Sequence, residues 1–194
     1  MATGKTDGRK EFLKDAKRRL NDQLLPQIVR CLALLSDEEI WWRPNDASNS
    51  MGNLVLHLSG NVRQWIVSGI GGARDVRHRD QEFSERGPLP KRGLAALLRA
   101  TVKEAGRVLD RVPPDSLGEP FSRQGFEMTR IEAIAHVVEH FAYHTGQIVY
   151  FTKSHLGRDL QFTHLPAARK TGKAKRAKTK SAKARQTAKP KRKR

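Results

Sequence analysis

Residues 129–153 read TRIEAIAHVVEHFAYHTGQIVYFTK, and this stretch decides the fold. It opens on a capping box: the Thr129 hydroxyl can accept from the Glu132 backbone while the Glu132 carboxylate reaches back to Thr129. No proline follows until Pro166, and Gly146 is the only weak helix former inside. About 25 residues at ~1.5 Å rise each make a rod of roughly 40 Å, the length of a bundle helix. Ala133, Val137, His140, His144, Ile148 and Phe151 recur at spacings of three and four and share one face. Two histidines therefore stand where the stripe calls for core residues. Buried polar groups need partners, and two imidazoles one turn apart can share a metal ion.

Upstream, residues 9–35 carry another apolar stripe: Phe12, Leu13, Ala16, Leu20, Leu24, Ile28, Cys31 and Leu35, with Lys or Arg on the other side. Pro26 predicts a kink or break in that helix. Ser36-Asp37-Glu38-Glu39 is a second capping box, opening a short turn that Pro44 should stop. Trp41 and Trp42 lie on that turn and are expected to cover the end of the bundle. Residues 45–50 form a polar loop, with Asn49 or Ser50 as N-cap of a second helix over 51–68. Its inner face is Leu54, Leu58 and Trp65, with His57 and Asn61 intruding on the same side. Glycines at 69, 71 and 72 end it, more by helix termination and close backbone approach than by phosphate binding, since no Gly-Lys-Ser/Thr follows. Pro88 and Pro90 delimit a third helix over 91–111, which Pro113-Pro114 closes. Residues 115–128 are a connection, with a short extended piece at 121–126. Four main helices and no convincing strand predict an all-α four-helix bundle.

The 194 residues suit one domain with room for a substantial core. The net charge of +18 is unevenly spread: 14 of the 38 Lys and Arg residues, and no acid, fall in 166–194. The remaining 24 basic and 20 acidic residues leave the body near +4. The expected organisation is a flexible N-terminus over 1–8, the bundle over 9–165 and a disordered basic tail over 166–194. The tail, PAARKTGKAKRAKTKSAKARQTAKPKRKR, has no aromatic and no aliphatic side chain larger than Ala, so it cannot offset chain entropy by burial. Two readings stand for it: a passive solubilising extension, or non-sequence-specific binding to nucleic-acid phosphates through Lys173, Lys175, Arg176, Lys178, Lys180, Lys191, Arg192, Lys193 and Arg194. The single cysteine, Cys31, excludes an internal disulfide and a multi-Cys metal site, and its place in an apolar stripe makes it a small buried side chain. The start lacks a signal-peptide core, and no run approaches ~20 apolar residues. A cytoplasmic protein, nucleoid-associated if the tail binds DNA, is the expectation. No membrane partner is foreseen, and a homodimer would be unsurprising.

The histidines carry the chemistry. His140 and His144 lie one turn apart, and His57 holds a similar position on another helix, the natural third ligand. From the residues alone, core packing and metal ligation remain open for all three. Three His ligands leave open positions, the arrangement of a catalytic rather than a structural site. His136 lies a further turn back, for packing or for support of a ligand. His136-Val137-Val138-Glu139-His140 matches H-x-x-E-H, a zinc-protease pattern. That reading fails because Asp159 is the only acid after Glu139, where such a protease needs a downstream carboxylate ligand.

The set NSMGNLVLHLSGN with RQW, the loop GGARDVRHRDQEF, and HVVEHFAYHTGQI together resemble the DinB-like superfamily, in an uncharacterised branch. The resemblance covers roughly residues 10–155. It implies a four-helix bundle holding a divalent metal, Zn²⁺, Ni²⁺ or similar, on three histidines that fall on His57, His140 and His144. Gly146-Gln147-Ile148 matches the stretch after the last ligand, while Thr145 stands where many relatives have Arg. Characterised members of the wider superfamily include transferases and isomerases that use a low-molecular-weight thiol, bacillithiol or mycothiol, as co-substrate. The implied activity is therefore that of a metal-dependent thiol transferase or hydrolase acting on a small molecule. The rival class is a non-catalytic metal-binding bundle that associates with nucleic acid through its tail.

Around this site, Asn61, His136 and Arg77 are candidates to support the ligands or touch substrate. The loop over 74–83 has two readings: Arg74, Arg77, His78 and Arg79 recognise an anion, or Arg74, Asp75, Arg79, Asp80 and Glu82 pair with one another to fix the loop, the reading the sequence favours. Glu139, next in sequence to a ligand, is about 100° away from it and should face elsewhere.

Overall fold

The computed structural model describes residues 6–87 and 89–162, so the expectations for the tail, and for the first five residues of the N-terminus, lie outside the described residues. The chain divides into a compact unit, 1–162, and a second segment, 163–194.

Four long helical rods carry the compact unit. The first begins with α1 (Gly8–Arg18), where Asp7 caps the Arg9 N–H, one residue before the expected start. It continues through a π-helical stretch, Arg19–Leu24, into α2 (Leu25–Leu34). Pro26 explains the widening: it has no N–H for the preceding turn and its ring crowds the carbonyl four residues back. The Leu25 N–H instead reaches the Leu20 carbonyl, so the expected kink is met by one loosened turn. The short α3 (Asp37–Trp41) follows, opened by the Ser36/Glu39 capping box.

The second rod is α4 (Met51–Val62) and a π-helical continuation, Arg63–Ile70. Ser50 caps it, with Asn53 reaching back in the role that Glu or Gln usually fills. A six-residue helix, α5 (Arg79–Ser84), lies in the segment expected to be loop. The third rod, α6 (Lys91–Leu109), starts directly after Pro90. A 3₁₀ turn, Pro114–Gly118, then leads to a hairpin of β1 (Pro120–Arg123) and β2 (Phe126–Thr129). The two strands are antiparallel, with Phe121 opposite Met128. An all-helical chain was therefore too strict an expectation: the short extended piece expected over 121–126 is part of a hairpin, in which the segment around Phe121 pairs with the one after it. Gln124 and Gly125, both at positive φ, make the two-residue turn that permits the pairing.

The fourth rod, α7 (Arg130–Leu156), has the Thr129/Glu132 capping box and ends at left-handed Gly157, one turn beyond the stretch that decided the fold. Rods one and two each pack against rods three and four. Leu20, Ile28, Leu58, Ile66, Leu98, Val102, Phe141 and Ile148 meet in the resulting core, all fully buried. Cys31 is also fully buried, and burial pushes its thiol pKa up. Trp41 sits half-buried against the α4 backbone at Gly52, and its Nε1 donates to the Leu89 carbonyl at 3.0 Å. Trp42, 49% exposed, packs on the last turns of α7, its ring 5.7 Å from Phe151 and 6.0 Å from His155 between centroids.

Candidate metal centre

On α7 the deepest positions are Ala133, Ile134, Val137, Phe141, Thr145, Ile148 and Thr152. His140 and His144 lie at the margin of that face, half-buried, rather than at its centre. The difference is a rotation of about 50°, half a residue step, because Phe141 and Thr145 take the core positions. The margin faces α4, and there His57, only 5% exposed, meets both. One ring nitrogen from each of His57, His140 and His144 can be chosen so that all lie within 4.8 Å of one another. His57 Nε2 is 2.8 Å from His140 Nε2.

The outer edges of two rings are tied down. His57 Nδ1 is 3.0 Å from a Glu82 carboxylate oxygen, so Nδ1–H donates and Nε2 keeps its lone pair toward the cluster. His144 Nδ1 is 2.6 Å from Gln147 Oε1, one turn along α7, with the same consequence for its Nε2. A ring held in this way presents a lone pair of fixed direction, the preparation usual for a metal ligand. Nitrogens sharing one tetrahedral ion at ~2.0–2.1 Å stand roughly 3.3 Å apart, so the His57–His140 pair needs to open by about half an ångström. A small side-chain rotation suffices. The three-histidine group can hold a divalent cation.

Glu82 is itself clamped. Arg77 donates from Nε to Glu82 Oε1 at 2.7 Å and from Nη2 to Oε2 at 2.8 Å, while its Nη1 bonds Gln64 Oε1 at 2.8 Å. Burial raises the Glu82 pKa most strongly among single causes, but the bonds from Arg77 and His57 and the Arg77 charge together hold it below the usual carboxylate range. The loop thus departs from the expected internal pairing: Glu82 pairs with Arg77, and Asp75 reaches Arg123 of the hairpin. Arg77, with 4% of its side chain exposed, serves the buried carboxylate rather than an external anion.

Glu82 was missing from the sequence-derived candidates. Its signal lies in Gly60, one turn of α4 beyond Leu56: an ideal Cβ there would collide with the Glu82 carboxylate and stand 2.9 Å from Arg77 Nε. Only a glycine lets that loop approach the helix so closely.

Burial, followed by the neighbouring His144, His57 and His136 and then Arg77, lowers the His140 pKa to about 3. Burial is also the main cause lowering His144, against the Gln147 hydrogen bond. Both rings are therefore neutral at pH 7, the form that binds a metal. His136 stands between Trp65, with ring centroids 4.7 Å apart, and His140 at 5.7 Å. Asn61 is buried one turn after His57, and its Oδ1 makes no hydrogen bond among the described residues. Glu139 is exposed, as its position next to His140 required. A cavity of about 820 Å³ opens beside His144, between α7, the start of α4 and residues 42–49.

A family model described as "Protein of unknown function (DUF1572)" matches residues 7–169. The chain belongs to this DUF1572 family. Two solved structures share the fold. A DinB-like protein from Bacillus cereus ATCC 10987 is 16% identical, with a TM-score of 0.56 over 69% of this chain and 86% of that one. A conserved protein from Enterococcus faecalis is 18% identical, with a TM-score of 0.55 over 81% of this chain and 100% of the other. The DUF1572 chain thus has a DinB-like fold. No curated protein matches the sequence. Among the described residues, no helix is long and apolar enough to cross a membrane.

Proposed function

We propose that this DUF1572 protein is a divalent-metal-dependent enzyme whose ligands are His57, His140 and His144. The observation that carries the proposal is the convergence of three ring nitrogens within 4.8 Å, two of the rings being oriented from behind by Glu82 and Gln147. On this reading the four rods are a four-helix bundle, and its second and fourth members supply the ligands. His57, His140 and His144 would hold Zn²⁺, Ni²⁺ or a similar ion, which would supply Lewis acidity to a water or thiol. Three protein ligands leave room for that water or thiol. Arg77 and Glu82 hold His57 in one tautomer, and Gln147 does so for His144. Asn61 Oδ1, buried one turn of α4 after His57 and without a hydrogen bond among the described residues, would accept a proton of water or substrate. His136 packs behind His140 and keeps its ring in place. The reaction class is transfer to a low-molecular-weight thiol or hydrolysis, with the substrate entering beside His144.

The concentration of basic residues in 166–194 favours a second property, nucleic-acid binding through the tail. One experiment separates the two. Chain lacking 166–194 and full-length chain are compared for hydrolytic and thiol-transfer turnover before and after chelation, and for salt-dependent DNA binding. The proposal expects turnover that chelation abolishes and tail deletion leaves intact. DNA binding lost with the tail, in a chain with no metal-dependent turnover, contradicts it.

A further inference from the structure

Seven large hydrophobic side chains are strongly exposed among the described residues, and three of them, Trp42, Tyr143 and Tyr150, line the cavity beside His144. Exposed aromatic surface gathered in one concavity marks a binding site rather than random surface. The far end of the cavity is also aromatic. Trp42 stands 5.7 Å from Phe151 and 6.0 Å from His155 between ring centroids, and the Phe151 and His155 rings are stacked. Met51, Leu54 and Ile148 form the floor. Among the described residues, no Lys, Arg, Asp or Glu lines it. Of the charged groups nearby, Glu39 accepts from His155 at 2.9 Å and caps α3, Lys153 pairs with Asp159 at 2.7 Å, and Arg77 is spent on Glu82 and Gln64, while the exposed Asp46 of the 42–49 loop adds a negative charge. A ligand entering here meets ring faces and a few neutral polar groups, such as Ser48, Asn49 and Ser154, and nothing that would neutralise a charge on its body. The volume suits a molecule of two or three rings.

We propose that this cavity binds a small neutral molecule with an aromatic body, its ring stacked near Trp42 and Phe151 and its single polar end directed toward His144. The inference deepens the metal-enzyme reading by naming its substrate class, and rests on that reading only for the role of the polar end. A charged body, including an anionic thiol conjugate, is disfavoured.

The test is calorimetric titration of the full-length protein with 2-naphthol, neutral at pH 7, and with 2-naphthalenesulfonate, its fixed-charge analogue. Each titration is run on protein as purified and after chelation, with metal content measured separately. Trp42→Ala is the diagnostic variant, and Tyr150→Ala a second one; both side chains are largely exposed, so neither substitution empties the core. The expected result is 2-naphthol binding at least about tenfold tighter than the sulfonate after chelation, weakened about tenfold by Trp42→Ala. Equal or tighter binding of the sulfonate to chelated protein, binding indifferent to both variants, or no binding of 2-naphthol overturns the inference. Binding of 2-naphthol as expected in protein that takes up no metal upholds the cavity and removes the metal reading instead.

Discussion

At the scale of single residues the site depends on a carboxylate that touches no ligand-binding face. Glu82 fixes the His57 tautomer and is held by two bonds from Arg77. Glu82→Gln keeps the shape but loses the charge and leaves the buried guanidinium without its counter-ion. Metal affinity should fall by about 10–100-fold, measured by competition with a chelator on protein whose circular dichroism is unchanged. His140 sets a second expectation. Its pKa is lowered to about 3 in the folded chain against 6.5 for the free side chain. The unfolded chain therefore takes up the proton first as pH falls. The metal-free protein keeps the full contribution of this group above about pH 6.5 and loses stability from there toward pH 3, by at most about 1.4 kcal/mol per pH unit. Denaturant titrations of chelated protein across that range read the slope. His140→Gln, which cannot be protonated, should flatten it.

At the scale of elements, the approach of the 74–84 segment to α4 controls the site without supplying a ligand. Gly60→Ala places a methyl group against the Glu82 carboxylate and Arg77. The segment must retreat, so His57 loses its support although all three histidines remain. Affinity for Zn²⁺ or Ni²⁺ should drop to a degree similar to Glu82→Gln, with an overpacking cost of about 1–3 kcal/mol in unfolding free energy. Unchanged affinity would show that Glu82 is not needed behind His57. The elements also explain what the sequence disclosed. Capping boxes at Ser36, Ser50 and Thr129 mark three helix starts where local hydrogen bonds alone decide the outcome. The three-four periodicity of α7 located its buried side to within one residue position, enough to select His140 and His144 but not to place Phe141 and Thr145 at the centre. An extended piece was legible at 121–126, but its pairing into a hairpin and α5 were missed because short elements of four and six residues draw their stability from what they pack against, which no local pattern records. The Glu82–His57 contact spans 25 residues and has no periodicity at all; only the glycine at 60 carries a trace of it.

For the whole molecule, the question is whether the converging histidines are a metal site or core packing. Neutral rings at His140 and His144, rings oriented from behind at His57 and His144, an acceptor at Asn61 without a hydrogen bond among the described residues and an open cavity at His144 fit a ligand site better than a filled interior. The most direct measurement is the metal content of untagged protein, by elemental analysis after reconstitution with Zn²⁺ or Ni²⁺. The His57→Ala, His140→Ala, His144→Ala triple variant is measured beside it. The account predicts about one ion per chain in the parent and essentially none in the folded variant. A parent that retains no ion after reconstitution, or a variant that retains as much as the parent, contradicts it.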